Sequence, residues 1–354
     1  MAATMREVAR RAGVSVATVS YVVNGQGAVR GIPEETCSRV RSAISELQYH
    51  PNALARGLTH RQTHTVAVVM QYPSIFSGWS GFTNELMHGI TDAALEMGYD
   101  VLLHTRNISA GNEITQDKHR RELSVLLDGR ADGALLLRDE EDPLAEALHD
   151  TGFPFVMMFS HSASNKHWFV DCDNTEGARL AVDYLVSLGH RRIAHLAGSD
   201  VSGAARERKR GYRAGMKDAG IEVDDHLIFD AFSAEHDLGP TVELLCNSDP
   251  GRPTAVFAWS DDVAIRLISL LRQSGVRVPE DVSVVGFDST ALCDHTDPPL
   301  TSVHQPIYNM AATAFRLLAA NISGAHPDET AVRVRPGLDI RKSCAAYTGS
   351  AKQT

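Results

Sequence analysis

The stretch that decides the fold is Met5 to Asn24, MREVARRAGVSVATVSYVVN. Val8, Ala9 and Ala12 recur at the spacing of one helical face, so an amphipathic helix opens the chain. Gly13 breaks that helix and can turn the chain without a side-chain clash. Ser15 is suited to cap a second helix, because its hydroxyl accepts from a backbone N–H two or three residues on. That helix is expected from about Val16 to Val23, with Val19, Val22 and Val23 inward, and Asn24-Gly25 ends it. Helix, glycine turn and second short helix make the helix-turn-helix pattern, which lays its second helix in a DNA major groove. On these residues alone, an α-helical cap without a DNA role is the alternative.

Downstream, the loop QGAVRGI leads to Pro33, expected at a first helical position, followed by Glu34 and Glu35. This third helix turns Cys37, Val40, Ala43, Ile44 and Leu47 inward and closes a three-helix head. His50-Pro51 ends it. The next segment, Pro51 to Leu58, is too short for a stable lone helix in water. It is either a plain linker or a helix that forms only against a partner.

From His64 the period changes. HTVAVVM reads as a buried strand, and strands then alternate with helices: a helix 82–97, strand 99–104, helix 117–127, strand 133–137, helix 143–150 and strand FPFVMMF. The pattern restarts with a helix opened by Asp173-Asn174. Strands follow at 192–197, 227–230, 254–258 and 282–287, with helices 203–219, 235–247 and 261–274 between them. Two successive βα halves imply two doubly wound lobes with a cleft at the strand C-termini.

Charge is divided unevenly. The chain has 354 residues and a net charge of −10. Residues 1 to 61 hold eight Arg, no Lys and four Glu, so the head carries +4 and the remainder −14. A small basic head on an acidic body fits local phosphate contact. The five cysteines contain no CxxC pair, which argues against a zinc site or a disulfide framework and for buried thiols in a reducing compartment. No apolar run approaches the roughly 20 residues of a membrane span. The start of the chain lacks a signal-peptide core, so a cytoplasmic location is expected, with no membrane partner.

No enzyme motif is present: no GxSxG, HExxH or Walker loop. GQGAVRG at 25–31 has the glycines of a phosphate loop but follows a helix and has the wrong spacing. His60 and His64 stand four apart without a third ligand, so no metal is expected, and no cofactor.

AGVSVATVS, then VVNG, then YHPNALARGL at 49–58 closely resemble the lac repressor family, and the likeness continues along the chain. The resemblance implies a helix-turn-helix DNA-binding head (1–50), a hinge helix and linker (51–63), and a two-lobed body of the periplasmic-binding-protein architecture (64–345). A short tail (346–354) follows, without the tetramer-forming leucine helix of the lac repressor itself. Lobe 1 is expected at about 64–165 and 294–324, lobe 2 at about 166–293 and 325–345. PPLTSV and the helix Ile307 to Ile322 should both return to lobe 1, and the AVRVRPGL strand should belong to lobe 2. The loop after the second helix is about two residues longer than is usual for the family, and is read as a tolerated surface insertion.

What the resemblance implies about sites is specific. Thr4, Arg6, Ser15, Val16, Ala17, Thr18, Ser20, Tyr21 and Asn24 would contact DNA from the head. Asn52, Ala55 and Leu58 would do so from the hinge, with Leu58 as the wedge that opens a central base step in the minor groove. Tyr21 stands where the family commonly has an arginine, so a weakened guanine preference is expected at that position; contact with a phosphate is the equal alternative. Arg208 matches the arginine that grips the ligand, although four other basic residues crowd its helix. Asp288 follows a strand at the cleft mouth and can accept from hydroxyls or a base N–H, with a loop cap as the plain alternative. Gln305 matches a family ligand position. Ser260 stands where an Asn is usual, and Asp261 is expected to cap the next helix. Phe76, Trp79, Phe82 and Phe232 are aromatic candidates for the cleft wall, each weighed equally against core packing.

The function expected is therefore a homodimeric transcription regulator, of repressor type, that binds a palindromic operator under control of a sugar- or nucleoside-like effector. The rivals are a solute-binding protein, which would need a signal peptide and no such head, and a cleft enzyme, which would need an acid, base or nucleophile set.

Overall fold

The structure is a computed structural model of the chain. It describes residues 3–50, 62–70, 80–104, 116–139, 142–161, 166–231, 236–247, 249 and 251–348. The chain divides into two units, Met1–Thr63 and His64–Thr354.

The first unit contains helices α1 (Met5–Ala12), α2 (Val16–Val23) and α3 (Glu34–Glu46). Thr4 caps α1 in a capping box with Glu7, and Gly13 ends it at φ +65°, the left-handed region that favours glycine. Ser15 Oγ accepts from the Thr18 backbone N–H at 3.1 Å and opens α2. Val8, Val19 and Val40 are fully buried in the head, joined by Ala9, Ala12, Ala43 and Tyr49. Pro33 lies one position earlier than expected: it is the residue before α3, with no capping bond from its side chain.

The second unit is built on two six-stranded sheets. The first contains β1 (Thr65–Met70), β2 (Asp100–His104), β3 (Gly133–Leu137), β4 (Phe155–Met158), β5 (Phe169–Cys172) and β11 (Ala331–Val334). Its strand order is β11-β5-β4-β3-β1-β2 and every pairing is parallel. Helices α4 (Gly81–Met97) and α11 (Ile307–Ser323) cover one face; α5 (Gln116–Leu126) and α6 (Pro143–Thr151) cover the other. Burial on both faces explains the unbroken apolar run Val66 to Met70.

The second sheet contains β6 (Ile193–Ala197), β7 (Ile228–Asp230), β8 (Ala255–Ala258), β9 (Ser283–Asp288), β10 (Thr301–His304) and β12 (Gly337–Asp339), in the order β12-β10-β9-β8-β6-β7. Helices α7 (Asn174–Ser187), α8 (Gly203–Asp218), α9 (Gly239–Cys246) and α10 (Asp261–Gln273) flank it. Only the edge pairing β10–β12 is antiparallel among the described strands.

The lobe boundaries differ from the expected ones. Thr301 pairs with Val285 of β9, so PPLTSV belongs to the second lobe, and the chain returns to the first only after Gln305. Helix α11 does return as expected: Met310, Phe315 and Leu318 bury against Leu86 and Ile90 of α4. Ala331 then pairs with Phe169, so AVRV extends the first-lobe sheet. A strand following so shortly after a helix pinned to lobe 1 stays with that lobe. Arg335-Pro336 marks the crossing, because proline has no N–H to give a ladder. Strand β5 was not anticipated; four residues that include Asp171 give no clear periodic signal. The chain crosses between lobes at Cys172–Asn174, His304–Ile307 and Val334–Gly337.

Candidate functional site

Candidate residues gather on two surfaces, one in each unit. On the head, Ser15, Val16 and Ala17 are exposed at the start of α2, with Thr18, Ser20, Tyr21 and Asn24 half-buried along it. Ala17 and Tyr21 lie four apart and Asn24 three further, so they share one outward face. Ser15 and Thr18 hydroxyls lie 2.9 Å apart, and Asn24 Nδ2 reaches Ser20 Oγ at 3.4 Å. Thr4 is engaged in its cap and Arg6 is exposed. Asn52, Ala55 and Leu58 lie outside the described residues. The Arg30 guanidinium sits over the Tyr21 ring, 4.9 Å from its centre.

In the body, the cleft edge of the second lobe gathers three of the expected residues. Gly211 lets α8 press on α7: a Cβ there would lie 2.2 Å from the Thr175 carbonyl oxygen. That contact sets Arg208, one turn earlier, beside the start of α7. Arg208 Nε donates to Asn174 Oδ1 at 2.9 Å, and its Nη1 donates to the Trp259 carbonyl at 2.5 Å. The guanidinium lies 3.5 Å from the centre of the Phe287 ring. Asp288 ends β9 with φ +121°. That backbone, which non-glycine residues rarely adopt, costs about 1–3 kcal/mol and persists only where the surroundings impose it. Gln305 Nε2 donates to Asp288 Oδ1 at 2.5 Å, and Arg208 Nη1 stands 4.0 Å from the same oxygen.

All three side chains are buried. Burial pulls the Arg208 pKa down, and Asp288 opposes that shift. Burial pushes the Asp288 carboxyl well above the ordinary carboxylate range, with Arg208 as the main counterweight. Each shift says the same thing: mutual attraction at 4.0 Å does not repay full desolvation.

Ser260 is the N-cap of α10, its Oγ 3.5 Å from the Val263 N–H. Asp261 is not a cap. It is buried and accepts from the Thr290 N–H and the Ser302 hydroxyl, tying α10 to the segment after β9, and burial raises its pKa to about 6. Phe82 packs edge-on against Phe159 at 4.9 Å in the first-lobe core, the packing alternative. Phe76, Trp79 and Phe232 lie outside the described residues.

Other residues at the site were not singled out from the sequence. Asn174 holds Arg208, and Trp259 and Phe287 flank its guanidinium. Their signal was position: Trp259 and Phe287 each precede a candidate, and Asn174 starts a helix. Asn174 Nδ2 also reaches Glu207 at 3.4 Å and Asp171 at 3.5 Å. Asp171 in turn takes His161 Nδ1 at 2.8 Å, and Arg333 stands on the opposite ring nitrogen at 2.7 Å. This network joins first-lobe strands to α8. At the ends of β2 and β3, Arg138 bonds Asp142 at 3.0 Å and also Glu122, with His104 close by. Among the described residues no cluster of His, Cys, Asp and Glu is arranged to hold a metal ion. No described helix is long and apolar enough to cross a membrane.

Comparison with known proteins agrees with this geometry. Residues 4–52 match the family described as bacterial regulatory proteins, lacI family, and residues 182–344 match the periplasmic binding protein-like domain. The chain is 32% identical over 344 residues to the HTH-type transcriptional repressor PurR of Photobacterium profundum, covering 96% of this chain and 98% of the relative. It is 34% identical over 344 residues to the ribose operon repressor of Escherichia coli (strain K12), covering 96% and 99%. The lac repressor dimer bound to operator and the anti-inducer ONPF superposes with a TM-score of 0.82 at 26% identity, covering 98% and 100% of the two chains. The transcriptional regulator CelR–cellobiose complex gives 0.70 at 34% identity, covering 96% and 99%. A helix-turn-helix head, two doubly wound lobes and relatives matched over nearly their whole length place this chain in the lacI family of bacterial regulatory proteins.

Proposed function

We propose that the chain is a transcriptional repressor that binds a palindromic operator as a homodimer, with a small molecule in the interlobe cleft setting its DNA affinity. The observation that carries the effector half is the buried trio Arg208, Asp288 and Gln305. Arg208 on α8 and Asp288 at the end of β9 approach without direct hydrogen bonding, at 4.0 Å. A molecule with neighbouring hydroxyls, or with an N–H beside an acceptor, engages the guanidinium and the carboxyl together. Sugars and nucleosides have that chemistry. The exposed Ser15, Val16 and Ala17, with the half-buried Tyr21 on the same helix, support the DNA half.

Control follows from linkage. A ligand that prefers one lobe arrangement shifts operator affinity by the difference in its affinity for the two states. A thermal-shift screen of sugars and nucleosides identifies the ligand class, because a bound ligand stabilises by mass action. The decisive experiment is operator binding with and without the hit. A hit that stabilises the protein but leaves DNA affinity unchanged refutes the proposed control.

A further inference from the structure

The loop after the recognition helix does more than tolerate two extra residues. Gln26 N–H bonds the Tyr21 carbonyl at 2.8 Å, Arg30 N–H the Gln26 carbonyl at 3.0 Å, and Ile32 N–H the Gly27 carbonyl at 2.9 Å. These bonds fold residues 26–32 back along the end of α2. Gly27 packs into the head where a Cβ would lie 2.8 Å from Cys37 Sγ, so the turn is pressed against α3. The result puts Arg30 over the Tyr21 ring at 4.9 Å. Arg11 and Arg41 of the head pair with Glu46 and Glu34. Arg30, by contrast, is exposed and faces no carboxylate among the described residues. Its guanidinium is fixed by an aromatic face, which leaves the N–H groups at its edge free to donate.

We infer that Tyr21 and Arg30 form a composite base reader, in which the ring holds the Arg30 fork for a bidentate contact with guanine in the major groove. Tyr21 alone lacks the paired donors that O6 and N7 of guanine require. Arg30 supplies them from the loop, at the same place on the head. The inference rests on the reading that the outward face of α2 enters the groove. It reverses the expectation of a weakened guanine preference there.

The test is binding-site selection with the full-length protein, followed by affinity measurement on the selected palindrome and on variants of it. Wild type is expected to select guanine at one symmetric pair of positions. Arg30→Ala should lose about 5- to 150-fold in affinity for that site and accept other bases there. Arg30→Lys keeps the charge but not the fork, and should relax the base preference while retaining the salt dependence. Tyr21→Phe should keep the preference and Tyr21→Leu should weaken it. Equal loss on every sequence with Arg30→Ala, together with a salt slope reduced by about one, marks a phosphate contact and overturns the inference. So does an Arg30→Ala protein that still selects the same guanine. If no palindrome is selected by wild type, it is the DNA-binding reading that fails.

Discussion

Arg208 and Asp288 stand 4.0 Å apart, both buried, each held by a different neighbour: Asn174 for the guanidinium, Gln305 for the carboxylate. The pair is positioned but not closed. Arg208→Ala should therefore abolish the ligand response and leave operator affinity without ligand within about threefold, since the substitution alters none of the head's DNA-facing residues. The measurement is fluorescence anisotropy on operator DNA across a ligand titration. A wild-type response in the variant removes Arg208 from the site.

Asn174 gives a subtler outcome. Its Oδ1 takes Arg208 Nε and its Nδ2 donates to the Cys172 carbonyl at 3.1 Å. Asn174→Ala leaves a buried guanidinium N–H unsatisfied, a loss of about 1–3 kcal/mol. Ligand affinity should drop more than stability, because Arg208 also loses its orientation. Calorimetric ligand binding, read beside urea unfolding, separates the two. A variant with reduced stability and unchanged ligand affinity would show that Asn174 only props the fold.

The sequence was legible where a pattern is local. Gly13, Ser15 and the valines of α2 mark the head, and continuous apolar runs mark strands such as β1 and β9. Arg208, Asp288 and Gln305 were reached through resemblance, and the structure gathers them at one edge. What the sequence hid depends on which lobe a short strand joins. Nothing within TSVH or AVRV says whether β9 or β5 is its neighbour; pairing partners far along the chain decide it. Asp261 misled for a related reason. A carboxylate at a helix start reads as a cap, yet this one turns to residues 29 and 41 positions away.

His195 sets an acid limit on stability. It is fully buried, stacked between Tyr212 and Phe257 at 4.9 and 4.8 Å, and burial lowers its pKa to about 4. Unfolded, its pKa returns to about 6.5, so between those values the unfolded chain binds the extra proton. Stability then falls as pH drops from 6.5 to 4, by up to about 3 kcal/mol from this residue. His195→Phe should flatten that part of the curve, while repacking costs about 1–3 kcal/mol at pH 7.5. Urea unfolding at pH 7.5 and 5 tests it; an unchanged difference between the two pH values would mean that other groups govern the acid limit.

The first unit carries net positive charge while the rest is net negative, which makes operator binding salt-sensitive. Residues 1 to 61 carry +4 against −14 on the rest, so the body repels the polyanion that the head attracts. Log K should fall linearly with log salt, with a slope of about −0.9 per phosphate neutralised. Arg6→Ala and Arg10→Ala should each reduce that slope by about one if they touch phosphate. A specific complex insensitive to salt would contradict the assignment.

The centre of the operator should be read by shape. Leu58 lies outside the described residues, and its role comes from the resemblance of YHPNALARGL to the family's hinge. Paired leucine wedges unstack one base step, and pyrimidine–purine steps yield most readily. A central CpG is therefore expected in the selected palindrome. Unstacking is favourable only where the extra contacts of bent DNA repay it, which a specific site offers and random DNA does not. Leu58→Ala should thus lose specific affinity while non-specific affinity, being mostly electrostatic, changes little. Replacing the central CpG in the wild-type site should cost about as much as the mutation does, and the two changes together little more, since both remove one interaction. Four affinities, from two proteins on two sites, complete that cycle. Fully additive losses would show that Leu58 does not act at the central step.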